Sequence, residues 1–188
     1  MNAMATVKTI GALELSSIGI GYRALDEMLK AADVEVLLSR TICSGKYFIV
    51  LSGSVDDVRA AVRAGLASAE EAVIDSLVLP NVHEGVFPAL GQSVVIAPDA
   101  EAIGVIESFS GVSIIAAADA AANAARVTLF RVHVAMALGG KGFCLMAGSV
   151  GDCRSAVKAG ADEVRKRGLL VSEIVIPRPS KELFSEYI

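Results

Sequence analysis

Gly53-Ser54-Val55-Asp56-Asp57-Val58-Arg59 and Gly148-Ser149-Val150-Gly151-Asp152-Cys153-Arg154 are one pattern written twice. In both, a serine reads as a helix N-cap, and acidic residues follow in the first turn, where the helix dipole favours negative charge. The repetition extends outward in both directions. Downstream, Ala61-Val62-Arg63-Ala64-Gly65 returns as Ala156-Val157-Lys158-Ala159-Gly160, and Leu77-Val78-Leu79-Pro80 as Ile174-Val175-Ile176-Pro177. Upstream, Gly45-Lys46 returns as Gly140-Lys141, Ala32 as Ala125, Asp26 as Asp119, and Ile10-Gly11-Ala12-Leu13-Glu14 as Ile103-Gly104-Val105-Ile106-Glu107. The match runs nearly end to end and predicts two domains, 5–91 and 100–188, with a boundary near Gly91 to Asp99.

Each copy alternates its elements. In the first, Lys8 to Leu15 reads as a strand and Ser16 to Ala32 as a helix with Leu25, Met28 and Leu29 on one face. Two apolar runs, Val34 to Leu38 and Tyr47 to Leu51, flank a turn. A helix follows from Ser54 with Val55, Val58 and Val62 as its stripe, and Gly65 marks a close contact or a break. A strand from Ser76 to Leu79 ends at Pro80. The second copy predicts strands near Ala102 to Ser108, Val127 to Met136, Phe143 to Ala147 and Val171 to Ile176, and helices near Gly111 to Ala124 and Ser149 to Lys166. The β-α-β-β-α-β order is the α/β (α+β) ferredoxin-like unit, in two tandem copies.

Composition bounds what such a chain does. Of 188 residues, 54% are hydrophobic, the formal net charge is −4, and mean hydropathy is +0.59. That apolar surplus predicts subunit contacts in a soluble protein, since no run approaches a membrane span. The charge argues against nucleic acid. Three cysteines without a leader suggest a reducing cytoplasm. His83 and His133 are isolated and lack ligand spacing. No Ser-His-Asp set, paired catalytic carboxylates or phosphate loop is visible, so no enzyme is expected.

The repeat serves as an internal control on the cysteines. Cys144 falls where the first copy has Ile49, and Cys153 where it has Val58, so both read as buried thiols packing like small hydrophobes. Cys43 has no counterpart: it lies in Ser39-Arg40-Thr41-Ile42-Cys43-Ser44-Gly45-Lys46, where the second copy carries a longer, cysteine-free stretch through Leu138-Gly139-Gly140-Lys141. Gly45 permits a tight loop, and Lys46 places positive charge near the thiol, which favours thiolate. On spacing alone a lone loop cysteine reads as incidental. It completes a metal site only if several chains bring their loops together on a symmetry axis.

Ile10-Gly11-Ala12-Leu13-Glu14-Leu15, Asp26-Glu27-Met28-Leu29-Lys30-Ala31-Ala32, the two Gly-Lys loops and Val175-Ile176-Pro177-Arg178-Pro179 together resemble the bacterial microcompartment shell domain, in two unpermuted tandem copies. Thr41-Ile42-Cys43-Ser44-Gly45-Lys46, with Asp75-Ser76-Leu77-Val78-Leu79, is most similar to the iron–sulfur tandem members of propanediol-utilisation shells. Those carry Cys-Pro-Gly-Lys, and this chain has Ser44 in place of the proline.

The resemblance implies a trimer with the outline of a hexagon, a pseudohexamer that tiles beside other shell proteins in the bacterial cytoplasm. Its central pore would be lined by Ser44, Gly45, Lys46, Leu138, Gly139, Gly140 and Lys141. One 4Fe–4S cluster would sit there on the metal ligand Cys43 of three chains, serving electron transfer with encapsulated redox enzymes or cluster transport. Lys30 and Arg178 match the family's tile-edge residues. A cluster-free metabolite pore and a small trimeric regulatory binder are the competing readings.

Overall fold

The computed structural model describes residues 8–96, 100–134 and 139–184. They form two compact units, one ending at Val82 and one beginning at His83. The expected limits 5–91 and 100–188 follow the sequence repeat. In space, the residues just after Val82 pack within the second unit.

The first unit runs β1 (Thr9–Leu15), α1 (Ile18–Ala31), β2 (Glu35–Ile42), β3 (Lys46–Gly53), α2 (Val55–Ala69) and β4 (Val73–Leu79). Its sheet has the order β2-β3-β1-β4, antiparallel at every pairing. In the second unit α3 (Val86–Leu90) precedes β5 (Ala102–Ser108), α4 (Gly111–Ala124), β6 (Thr128–Val134), β7 (Gly142–Gly148), α5 (Val150–Lys166) and β8 (Leu170–Pro177). Its sheet repeats the order as β6-β7-β5-β8. Each unit is the ferredoxin-like arrangement expected from the element order.

Local chemistry explains the elements. Ser54 and Ser149 cap α2 and α5, each accepting the backbone N–H three residues on. Helix α1 is capped by Ser17, which accepts from the Ile20 amide, so it starts later than Ser16. Its buried residues are Gly21, Ala24 and Met28. Leu25 lies on the flank, and Leu29, one step of about 100° past Met28, is 44% exposed. The helix–helix contact requires Gly65: a Cβ there would stand 2.7 Å from the Met28 side chain. Gly65 thus marks a close approach within an unbroken α2. Behind it, Leu13, Leu15, Ile49 and Leu51 join Val58 and Val62 in one core.

Three further features depart from the sequence reading. Strand β4 begins at Val73, directly after a short 3-10 turn over Glu70–Ala72. Strand β6 spans Thr128–Val134, while the Ala135 and Met136 assigned to it lie outside the described residues. Helix α3, which no periodic pattern announces, packs on β6 and α4. Beyond it Val94, Ile96 and Ala100 lie against Ile103, Phe130 and Ala147 on the face of the sheet away from Gly104 and Ile106, whose side packs on α5.

Candidate functional site

Strand register confirms the internal control. Cys144 stands opposite Ile106 as Ile49 stands opposite Leu13, and the Cys153 amide bonds Ser149 O as the Val58 amide bonds Ser54 O. Both thiols are fully buried. Burial pushes Cys144 up to about 12, slightly offset by a backbone hydrogen bond at Ile106. Burial also raises Cys153, helped by the nearby Asp152 charge. Neither is suited to hold a metal as thiolate.

Cys43 is half-buried at the tip of the β2–β3 hairpin, with Ser44 and Gly45 exposed beside it. The pairing of Ile42 with Lys46 closes the hairpin on three residues, Cys43–Gly45. So tight a turn needs left-handed backbone. Gly45 has φ 73 and Ser44 φ 66. A Cβ at Gly45 would meet nothing within 4 Å, so within the chain glycine is used for its φ and not for space. Proline is locked near φ −65° and cannot take the Ser44 conformation. The departure from Cys-Pro-Gly-Lys is therefore one of backbone geometry as well as sequence.

Lys46, expected to place charge near the thiol, also has a partner beneath the loop. Its Nζ donates to Glu14 Oε1 at 2.8 Å, and the Glu14 side chain is 0% exposed. The lysine thus neutralises a buried carboxylate on β1 and fixes the base of the loop. The second copy repeats the device: Lys141 Nζ lies 3.0 Å from Glu107 Oε1, and Ser172 Oγ donates to the other carboxylate oxygen at 3.1 Å. Gly139 and Gly140 have φ 62 and 88, and Leu138 lies outside the described residues. Sequence reasoning passed over Glu14 and Glu107, although an acid kept inside an apolar strand in both copies was a visible signal of a buried partner.

The two expected edge residues are exposed. Lys30 pairs with Asp26 and, at 3.8 Å, with Glu27, and the Asp26 hydrogen bond and charge raise its pKa. Arg178 has φ 48, and its repeat counterpart Asn81 has φ 57. Both copies therefore hold a non-glycine residue in left-handed backbone within two residues of the last strand, a cost that persists where the surroundings fix a side chain's direction.

Among the described residues of one chain, no three His, Cys, Asp or Glu side chains gather as a metal site. No helix is long and apolar enough to cross a membrane. A thiolate cluster on this fold draws on Cys43 from several copies or does not form.

The BMC domain model matches residues 9–82 and again 102–179. The chain is 41% identical over 181 residues to the bacterial microcompartment shell protein PduT of Citrobacter freundii, covering 96% of this chain and 98% of that protein. It is 43% identical over 83 residues, 44% of its length, to the shell protein EutM of Salmonella typhimurium, covering 84% of it. A crystal structure of a microcompartment protein from Desulfitobacterium hafniense superposes with a TM-score of 0.87 at 39% identity, covering 95% of this chain and 98% of that one. A fused permuted hexameric shell protein of the RMM microcompartment shares the fold at TM-score 0.63 and 18% identity, each chain covered to 88%.

Proposed function

Because this chain belongs to the BMC-domain family, and is a structural shell protein of bacterial microcompartments, we propose that it forms a trimeric facet tile whose pore holds a 4Fe–4S cluster. In this reading its two domains, 5–91 and 100–188, fill two of six places around the axis, and three copies of Cys43 are the ligands. A fourth iron is left to a ligand other than cysteine. Bound there, the cluster supplies one-electron redox chemistry suited to electron or cluster transfer across the shell.

The residues present fit that group. One observation carries the reading: Cys43 is the one cysteine outside the core, in a hairpin whose counterpart has none. Thiolate is the donor that iron–sulfur clusters take. The Glu14–Lys46 pair anchors the loop from beneath, so the tip is free to differ without cost to the sheet. Lys30 and Arg178 are left at the periphery for neighbouring tiles.

The test is a comparison of cysteine variants purified without oxygen. Cys43→Ser loses iron, sulfide and broad visible absorption while the trimer persists, and Cys144→Ala keeps all three. Loss in both, or in neither, rejects the assignment. A wild type that stays colourless leaves a metabolite-conducting pore with an exposed thiol.

A further inference from the structure

The two units differ in what covers them. In the second, the residues that follow β4 in sequence form a cover. The His83 amide donates to Asp119 Oδ1 on α4 at 2.8 Å, the Val86 amide closes a turn on His83 O at 3.0 Å, and α3 lies on β6. Under this cover Leu129 of β6 is 3% exposed. The matching position in the first unit, by strand register, is Val36, which is 37% exposed. On α1, Tyr22 is 60% exposed where its α4 counterpart Ile115 is 0%.

A second copy of the cover exists. Leu79 and Ile176 pair with Ile10 and Ile103, which aligns the residues after β8 with those after β4, without gaps. Arg178 matches Asn81, Ser180 matches His83 and Leu183 matches Val86. The local structure agrees: the Leu183 amide closes a turn on Ser180 O at 3.1 Å, and a 3-10 helix spans Lys181–Phe184. Val86 is fully buried, yet Leu183 is 42% exposed. The chain therefore carries one occupied cover, one cover in place but unseated, and one exposed face at the matching position.

We propose that residues 179–184 of one chain seat on the first unit of a second copy, as the residues after Val82 seat on the second unit. Leu183 lies over the Val36 end of β2, and the Ser180 amide donates to Asp26, the repeat counterpart of Asp119. The joint is head-to-tail, with donor and acceptor surfaces on different units, so identical copies linked this way close a ring when the rotation allows. The inference deepens the trimeric reading above by naming its joint, and it is independent of the cluster.

Sedimentation at micromolar concentration in a Cys43→Ser background, where no cluster contributes, tests it. Val36→Asp and Leu183→Asp each reduce the assembly to single chains, and Asp26→Ala weakens it. All are exposed changes, so the circular dichroism of the folded chain stays as in the parent, and any fall in thermal stability is only that of losing the joint. Mixing the Val36→Asp chain with the Leu183→Asp chain restores one joint and yields a two-chain species, because the first retains its cover and the second its acceptor face. Variants that keep the parent mass, or a mixture that stays single-chain, overturn the joint and leave the trimer standing. A single-chain parent overturns both.

Discussion

In the first unit three residues, Cys43–Gly45, bridge β2 to β3 over a Glu14–Lys46 pair whose carboxylate is fully buried and whose lysine is 21% exposed. In the second, the bridge from β6 to β7 is longer and contains no cysteine, and its Lys141–Glu107 pair is about one-third exposed on both sides. The same frame thus supports two loop tips of different chemistry. What permits this is the lysine–glutamate pair beneath each tip, which closes the sheet end in both copies. A shell tile built from two copies can vary one tip for a special task and leave the other as plain lining, which a single-domain tile cannot do.

The largest effect that breaks this comparison is loss of the pair itself. Lys46→Met leaves a buried carboxylate without its cation and costs about 3 kcal/mol in denaturant unfolding. Lys141→Met costs about 1 kcal/mol, because Glu107 keeps its Ser172 bond and reaches solvent. Equal costs would contradict the difference in burial.

Next come the glycines where the helices cross. A Cβ at Gly160 would stand 2.6 Å from the Ala117 carbonyl oxygen, a backbone atom, while at Gly65 it meets the flexible Met28 side chain at 2.7 Å. Gly160→Ala therefore costs about 2–3 kcal/mol by overpacking. At Gly65→Ala, movement of Met28 and a gain of about 1 kcal/mol in helix propensity hold the net loss below about 1 kcal/mol. Thermal unfolding of the two variants checks the order.

The repeat itself was legible, and with it the register. The equivalences of Ile49 with Cys144 and Val58 with Cys153 hold in the strand pairing and helix capping because the buried frame admits few substitutions. Other features were not legible for stateable reasons. The Glu14–Lys46 contact spans 32 positions, which no local spacing reveals. Leu29 shares the apolar character of Met28 but sits one step around the helix, so composition misplaced it. Helix α3 is 5 residues long and contains Pro88, too short for a period to register. That the segment following one copy covers the other is a property of tertiary packing alone.

Alkaline pH separates the units more gently. The folded pKa of Cys144 lies near 12 against an ordinary value of 9.0. Between these values the unfolded chain has lost a proton that the folded chain keeps, so stability falls as pH rises, by up to about 1.4 kcal/mol per pH unit from this group. Cys144→Ala flattens that part of the profile. Ile49, at the same place in the first unit, has no proton to lose; the alkaline loss there comes instead from Tyr47, whose hydroxyl is also pushed up by burial. The smallest effect is Lys30→Ala: electron microscopy is expected to show weaker lateral association of the proposed tiles, while the fold and the proposed trimer stay intact, since exposed pairs add little to folding.

The claim that the first-unit loop is specialised for a cluster is tested most directly by the iron and acid-labile sulfide content of wild-type protein prepared or reconstituted without oxygen. The account predicts about four irons and four sulfides for every three chains, as one cluster per trimer requires. Protein that remains iron-free and colourless after reconstitution would contradict it.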